Sequence, residues 1–367
     1  MTSGNSWVRR GLGVAVAALS FAAFATSTVS TNAYADSAAL VPAADQQVSF
    51  TEDGTTAYGT LHIPAHRAGQ RLAAALLLPG SGPTDRNGND PALDVDPNTL
   101  GLIAGVLGDQ GIMSFRFDKY FSGQTGGGAY AGDPGRIDLD AFIRQADAAY
   151  RLLAQQPTAN PARLLVVGHS EGGFTSMLVA ESVAPRPVGL ALIEPQDQRL
   201  LDLIDIQLGE QLDAAVAAGS ITEAVAEQNK TGVAAAIAEF RANEPVDYSG
   251  LLQPIVQNLA PIFAPDNANY VHSDDAIAPA SVAARLAPGT RVLVTDGTQD
   301  PNIPLWTTPD LLAALRSAHT SGPGLVVLPG LDHFLHPAGA SVNDQILAPS
   351  AISALVDFAR PFAHTVG

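Results

Sequence analysis

Ser170, Asp300 and His333 are the residues of this 367-residue sequence whose types and settings suit nucleophilic chemistry at a carbonyl carbon. Ser170 is the centre of Gly168-His169-Ser170-Glu171-Gly172, with the apolar run Leu164-Leu165-Val166-Val167 before it and the helix-compatible stretch Phe174 to Ser182 after it. A serine on a sharp turn between a buried strand and a helix presents its hydroxyl at the strand's carboxyl end. The flanking glycines remove the Cβ atoms that would clash in such a bend. The backbone N–H of Glu171, at the helix start, then faces any oxyanion formed at the serine. A hydroxyl alone is a poor nucleophile, so a base and an acid that orients the base are required.

Both residue types follow downstream. Arg291 to Thr295 reads as a β-branched strand running into Asp296-Gly297-Thr298-Gln299-Asp300-Pro301-Asn302-Ile303-Pro304. Leu325 to Leu328 reads as a second strand, ending in Pro329-Gly330-Leu331-Asp332-His333. In an open α/β sheet, loops leaving the carboxyl ends of different strands converge on one rim, which would bring the three residues together. A neutral His333 would take the serine proton and later return it to the leaving group. Asp300 would accept the other ring N–H and fix the tautomer. Asp296 competes with Asp300, because a turn-forming Asp is common at a strand end. His336 competes with His333 or merely lines the mouth, His169 is read as packing, and Asp332 as a solvated loop acid.

The positioning elements alternate. Gln46 to Ile63 reads as two antiparallel strands turning at Asp53-Gly54. Strand Ala73–Leu78, helix Pro97–Gln110, strand Ile112–Phe117, helix Leu139–Ala154, strand Arg163–Val167, helix Gly172–Val183 and strand Val188–Glu194 follow. That alternation predicts a parallel sheet. Gly123 to Gly135, with Gly126-Gly127-Gly128, reads as a flexible loop.

Four motifs in this order resemble the α/β-hydrolase superfamily: Leu78-Pro79-Gly80-Ser81-Gly82 through Gly88, Gly168 to Gly173, Gly297-Thr298-Gln299-Asp300 with Ile303-Pro304, and Gly330-Leu331-Asp332-His333. Within it the chain is similar to the dienelactone hydrolase and serine-aminopeptidase-like group of bacterial esterases, over most of Gln46 to Phe362. The resemblance implies an α/β-hydrolase fold with a mostly parallel eight-stranded sheet flanked by helices. It also implies a Ser170/Asp300/His333 triad, no cofactor, and hydrolysis of an ester, thioester or amide through an acyl-enzyme. The loop after strand Ala73–Leu78 would supply the second oxyanion donor. Pro79-Gly80 stands where many such enzymes carry His-Gly, and the Ser81 N–H is favoured over that of Gly82. Asp118-Lys119 resembles a loop that is usually structural; ordinary loop salt-bridging competes there with substrate contact by Lys119. Asp85 to Asp90 superficially suggests a calcium loop, but its glycine falls at the fourth position and Asp96 occupies the twelfth, so no metal is expected.

Between Pro195 and Pro288 the alternation breaks. Leu201, Ile204, Leu208, Leu212 and Val216 recur at helical steps, Ile221 to Arg241 follows as a second helix, and Leu251 to Phe263 is apolar but interrupted by prolines. This length far exceeds a β–α connection, so residues 195–288 are expected to form a helical cap on a core of 36–194 and 289–367. A cap lined by Leu252, Ile255, Leu259, Ile262 and Phe263 would favour a small-molecule ester with an apolar acyl group.

Arg9-Arg10, the apolar stretch Gly11 to Ala25 and Ala33-Tyr34-Ala35 have the order of a secretory signal, residues 1–35, leaving Asp36 first in a secreted or envelope-located chain. The apolar stretch is short for a membrane span. There is no cysteine, which excludes a disulfide framework and a lipoprotein anchor. Removing the two signal arginines leaves 17 basic against 36 acidic residues, a net charge of −19. Such a surface repels nucleic acid and anionic headgroups. The expected activity is therefore a secreted serine esterase acting on short to medium acyl groups. The alternatives are an aminopeptidase or amidase with Glu171, Glu194 and Asp197 as an amine-binding cluster, an acyltransferase on the same triad, and a non-enzymatic binding module.

Overall fold

The computed structural model describes residues 39–363, and the candidate signal segment 1–35 lies outside the described residues. Strands β1 (Leu40–Val41) and β4 (His66–Arg67) pair as a small antiparallel ribbon. The main sheet contains β2 (Ala44–Glu52), β3 (Thr55–Ile63), β5 (Leu72–Leu78), β6 (Met113–Phe117), β7 (Ala159–His169), β8 (Gly189–Ile193), β9 (Arg291–Gly297) and β10 (Ser321–Leu328). Its order is β2-β3-β6-β5-β7-β8-β9-β10, antiparallel at β2 and β3 and parallel from β6 to β10. This is the expected eight-stranded α/β-hydrolase architecture. The β2–β3 turn falls at Asp53-Gly54, where both residues have positive φ, as a two-residue type I′ hairpin turn requires.

The parallel strands are apolar on both faces because helices cover both. Strand side chains alternate between faces, so Leu72, Ala74, Leu76 and Leu78 of β5 enter one apolar layer while Ala73, Ala75 and Leu77 enter the other. The first layer is completed by α2 (Leu139–Ala154), α3 (Glu171–Ser182), α8 (Pro279–Ala283) and α9 (Pro309–Ser317). The second is completed by α1 (Thr99–Asp109) and α10 (Pro349–Ala359). Asp138 caps α2, its side chain accepting from the Ala141 N–H at 2.8 Å.

Strand register sets the rim. Leu78 pairs with Gly168, His169 with Ile193, Ile193 with Thr295, and Leu328 with Gly297. The carboxyl ends of five parallel strands are thus level, and the loops holding Ser81, Ser170, Gln196, Asp300 and His333 all leave from that edge.

The insertion between β8 and β9 holds α4 (Leu200–Ala217), α5 (Glu223–Arg241), α6 (Gln253–Ile262), α7 (Pro265–Asp275) and α8. It has its own apolar cluster, built from Leu201, Leu208, Leu212, Val233, Ile237, Phe240, Ile255, Leu259 and Phe263. The Phe240 ring stacks on Phe263 at 4.3 Å and on His272 at 4.2 Å.

One expectation is corrected here. The Gly123 to Gly135 segment is pinned rather than loose: Thr125 donates to the Asp118 carbonyl at 2.8 Å, the Gln124 N–H donates to Asp118 Oδ2 at 2.8 Å, and the Ala129 N–H donates to Thr55 Oγ1 at 2.8 Å. Asp118 also holds Arg86 through both carboxylate oxygens, at 2.9 and 2.6 Å. That pair ties the loop after β6 to the loop after β5.

Candidate active site

Ser170 lies between β7 and α3 with φ 59° and ψ −125°, a conformation costly for a residue with a side chain. Its N–H donates to the Ile193 carbonyl at 2.9 Å, and its own carbonyl accepts from Gly173 at 2.8 Å and Gln196 at 3.0 Å. The glycines around it are required by close approach. A Cβ on Gly168 would overlap the Gly172 carbonyl, and one on Gly172 would meet the Leu78 and Pro79 carbonyls. Gly80 lies against the serine, since a Cβ there would come within 3.1 Å of Ser170 Cβ and 3.6 Å of Oγ.

His333 and Asp300 meet as expected: His333 Nδ1 is 2.7 Å from Asp300 Oδ2, and both residues are buried. Asp300 Oδ1 accepts from the N–H groups of Asn302 at 2.7 Å and Ile303 at 3.0 Å. Burial opposes ionisation of Asp300. The His333 charge and hydrogen bond together with the two N–H donors outweigh it, holding the carboxyl below its ordinary range. Ser170 and His333 line the same cavity of about 660 Å³, although no Ser170 Oγ–imidazole hydrogen bond is formed. Such bonds are commonly long in the absence of substrate.

The competitors occupy other places. Asp296 accepts from the Thr308 hydroxyl at 2.5 Å, and burial pushes its carboxyl up to about 6. His336 pairs with Asp332 at 3.2 Å. His169 does more than pack: its Nε2 is 2.7 Å from the His333 carbonyl, and its ring lies 4.7 Å from the His333 ring. Burial pushes His169 down to about 3, aided by His333, so it is neutral and a proton on Nε2 donates to that carbonyl. It holds the backbone of the candidate base.

Of the expected oxyanion donors, Glu171 is the first residue of α3, where the N–H has no partner within the helix. Ser81 and Gly82 line the cavity, with Gly82 at φ +75°. The expected lining of the insertion is corrected as well. Ile262 reaches the cavity, but Ile255, Leu259 and Phe263 are buried in the insertion's own cluster, with Leu252 packed against it. The apolar face of α6 turns toward α5 and α7. Leu200, Leu203 and Ile204 of α4 and Tyr270 and Val271 of α7 form the wall instead, facing Ile303, Ile137 and Phe142.

A polar strip also borders the cavity. Lys119 is buried, donates to the Gly80 carbonyl at 2.5 Å, and lies 3.8 Å from Glu171 Oε1. The Tyr270 hydroxyl donates to Glu171 Oε2 at 2.7 Å. Gln196 Nε2 donates to Asp274 at 2.9 Å. Of the three acids considered for amine binding, only Glu171 lines the cavity. Glu194 is fully buried, accepts from the Gly297 N–H at 2.6 Å and is pushed well up by burial and then by Asp300; Asp197 is buried and accepts from Thr307 at 2.7 Å.

Among the described residues, no helix is long and apolar enough to cross a membrane. No protein-family model and no curated protein matches the sequence. Solved structures match in fold. Est1E from Butyrivibrio proteoclasticus, solved with ferulic acid, superposes with a TM-score of 0.52 at 15% identity over 86% of this chain and 98% of its own. The Pyrococcus furiosus esterase Pf2001 gives 0.53 at 13% identity, covering 87% and 91%. The α/β hydrolase GrgF from Penicillium sp. sh18 gives 0.53 at 18%, covering 88% and 99%.

Burial lifts the Asp197 carboxyl to about 7 against the opposing Thr307 hydrogen bond. The native state therefore binds this proton more tightly than the unfolded chain. The resulting stability is fully present below about pH 4 and is lost as pH rises through about 7. Asp197→Asn should lack that slope, gaining on the order of 2 kcal/mol relative to wild type between pH 5 and pH 8 in urea unfolding. A difference independent of pH would refute the assignment.

Proposed function

The chain has the α/β-hydrolase fold, and on it we propose an exported serine hydrolase that cleaves carboxylic esters of short to medium acyl chain through an acyl-Ser170 intermediate. The observation that carries this reading is the 2.7 Å His333–Asp300 bond beside the cavity that Ser170 lines. Ser170 Oγ attacks the ester carbonyl carbon, its proton passes to His333 Nε2, and the carbonyl electron pair moves onto oxygen. The N–H groups of Glu171 and Ser81 receive that oxyanion. Collapse expels the alcohol with the proton from His333, and water repeats the sequence to free the acid. Asp300 keeps Nδ1 protonated throughout.

Ester rather than aminoacyl substrates suit the walls. Leu200, Leu203, Ile204, Ile262 and Val271 offer apolar area to an acyl chain, whereas an α-ammonium needs a spare carboxylate. Glu171 is already engaged by Lys119 and Tyr270. The insertion serves in this reading as a cap over Ser170. One of the structural neighbours, Pf2001, is an esterase by name, in keeping with this chemistry.

Fluorophosphonate treatment should give one adduct, mapped to Ser170 by mass spectrometry and absent from Ser170→Ala. Asp300→Asn should lose about 10⁴-fold in turnover with folding little changed, and Asp296→Asn should not. The reverse order would transfer the orienting role to Asp296.

Each buried CH₂ contributes about 0.8 kcal/mol, so two extra carbons fully buried in the transition state raise the specificity constant by roughly tenfold. p-Nitrophenyl butyrate or hexanoate should therefore exceed acetate, with aminoacyl anilides cleaved at least about a hundredfold more slowly. Comparable rates on a free-amine anilide, lost on acetylating the amine, would establish a peptidase instead.

Export rests on Arg9-Arg10, Gly11 to Ala25 and Ala33-Tyr34-Ala35. Amino-terminal sequencing of envelope or medium protein should begin at Asp36. An intact Met1 or Thr2 start there would show a retained segment.

A further inference from the structure

We propose that Lys119 is a positioning residue for the oxyanion site: by donating to the Gly80 carbonyl it sets the orientation of the Gly80–Ser81 peptide, whose other end is the Ser81 N–H. The proposal rests on the serine-hydrolase reading and extends it to a side chain that does not touch the reacting atoms.

The geometry follows from the peptide unit. The carbonyl of Gly80 and the N–H of Ser81 belong to one planar trans group and point in opposite directions. Whatever anchors the carbonyl therefore aims the N–H. Two donors anchor it, Lys119 Nζ at 2.5 Å and the Thr84 hydroxyl at 2.8 Å. The peptide needs such anchoring, because Gly80 lies against Ser170 and has no side chain to restrain it. A cationic donor on the carbonyl also polarises the peptide and strengthens its N–H as a donor, as hydrogen-bonded chains do in a low-dielectric site.

A lysine is buried here at a cost, and the surroundings show how it is offset. Burial lowers its affinity for the proton, while Glu171, Asp274 and Asp90 raise it. The nearest counter-charge is Glu171, 3.8 Å away, whose carboxylate the Tyr270 hydroxyl holds. Glu171 also carries the other expected oxyanion N–H. From the loop after β6, Lys119 thus bridges the two loops that must present their N–H groups to the same oxygen, by a hydrogen bond to one and an ion pair to the other. Ordinary loop salt-bridging would be indifferent to the Gly80 carbonyl.

The test measures kcat and KM on p-nitrophenyl butyrate, and inhibition by a short alkyl trifluoromethyl ketone. Ser170 Oγ bonds the ketone carbon, its proton passes to His333, and the carbonyl pair becomes an oxyanion in the site. Lys119→Met should lower kcat roughly ten- to hundredfold, less than outright removal of a donor, with KM within about threefold. Ketone affinity should fall by the same factor as kcat/KM, and Lys119→Arg should recover part of the loss. The double variant Lys119→Met with Glu171→Gln restores charge balance without restoring the donor to Gly80, so the kcat and ketone losses should persist. Recovery of wild-type kcat in the double variant would reduce Lys119 to charge compensation and overturn the proposal. A loss confined to KM, or unchanged ketone affinity, would also overturn it. If Lys119→Met does not fold, Thr84→Val removes the second donor on the same carbonyl without creating a buried charge. It should lower kcat and ketone affinity together by roughly three- to tenfold, and no change in either overturns the proposal. A wild-type protein that neither turns over esters nor labels at Ser170 would refute the serine-hydrolase reading itself, and this proposal with it.

Discussion

The bend at Ser170 is the constraint on which the remaining geometry depends. A residue with a side chain is held at φ 59° because its neighbours have none: Gly168 and Gly172 fit against each other and against the carbonyls of Leu78 and Pro79, and Gly173 fits against Pro195. The strain is offset by hydrogen bonds to the end of β8, the loop after it and the first turn of α3: from Ser170 to Ile193 and from Gly173 and Gln196 to Ser170. Releasing the bend would therefore move the ends of β5, β7 and β8 together. The rim is a rigid assembly rather than a set of independent loops.

Electrostatics around that rim sort chemically similar groups by what they accept. Glu194, Asp296, Asp300 and Asp197 are all buried near the carboxyl ends of β8 and β9. Only Asp300 gathers two backbone N–H donors and an imidazole, and only it is held below the ordinary carboxylate range. Burial pushes the other three up because one or two neutral donors do not offset lost hydration. His169, neutral and bonded to the His333 carbonyl, adds no competing charge beside the base.

Much of this was legible in the sequence, for local reasons. The strand–turn–helix context of Gly168 to Gly172, the alternation of strands and helices, and the loop beyond Arg291 to Thr295 all depend on neighbours in the chain, and the structure places them as read. The choice of Asp300 over Asp296 depended on resemblance; in the structure His333 lies 2.7 Å from Asp300, while Asp296 accepts from a Thr308 hydroxyl that sequence alone does not pair with it. The lining of the insertion was misjudged because periodicity identifies an apolar face without saying what it meets. Ile255 and Leu259 satisfy the same pattern buried against helices as they would facing a cavity. Lys119 was ambiguous for a related reason, since its acceptor, Gly80, and its counter-charge, Glu171, lie on other loops and come together only in the folded rim.

The separate apolar cluster of α4 to α7 also backs the cavity wall. Leu208, Leu212, Val233, Ile237 and Leu259 hold these helices to one another, and of the residues that look into the cavity Val271 belongs to the same cluster, Leu200 and Ile204 pack against it, and Leu203 stands apart from it. The two layers that sandwich the sheet draw on neither group. Substitutions at Val271, Leu200 or Ile204 thus reach the packing of the insertion as well as the cavity, while the layers around the sheet lie apart from them. In evolutionary terms, the shape of the cavity and the stability of the insertion are tied at these positions, so that Leu203 is the wall residue freest to vary.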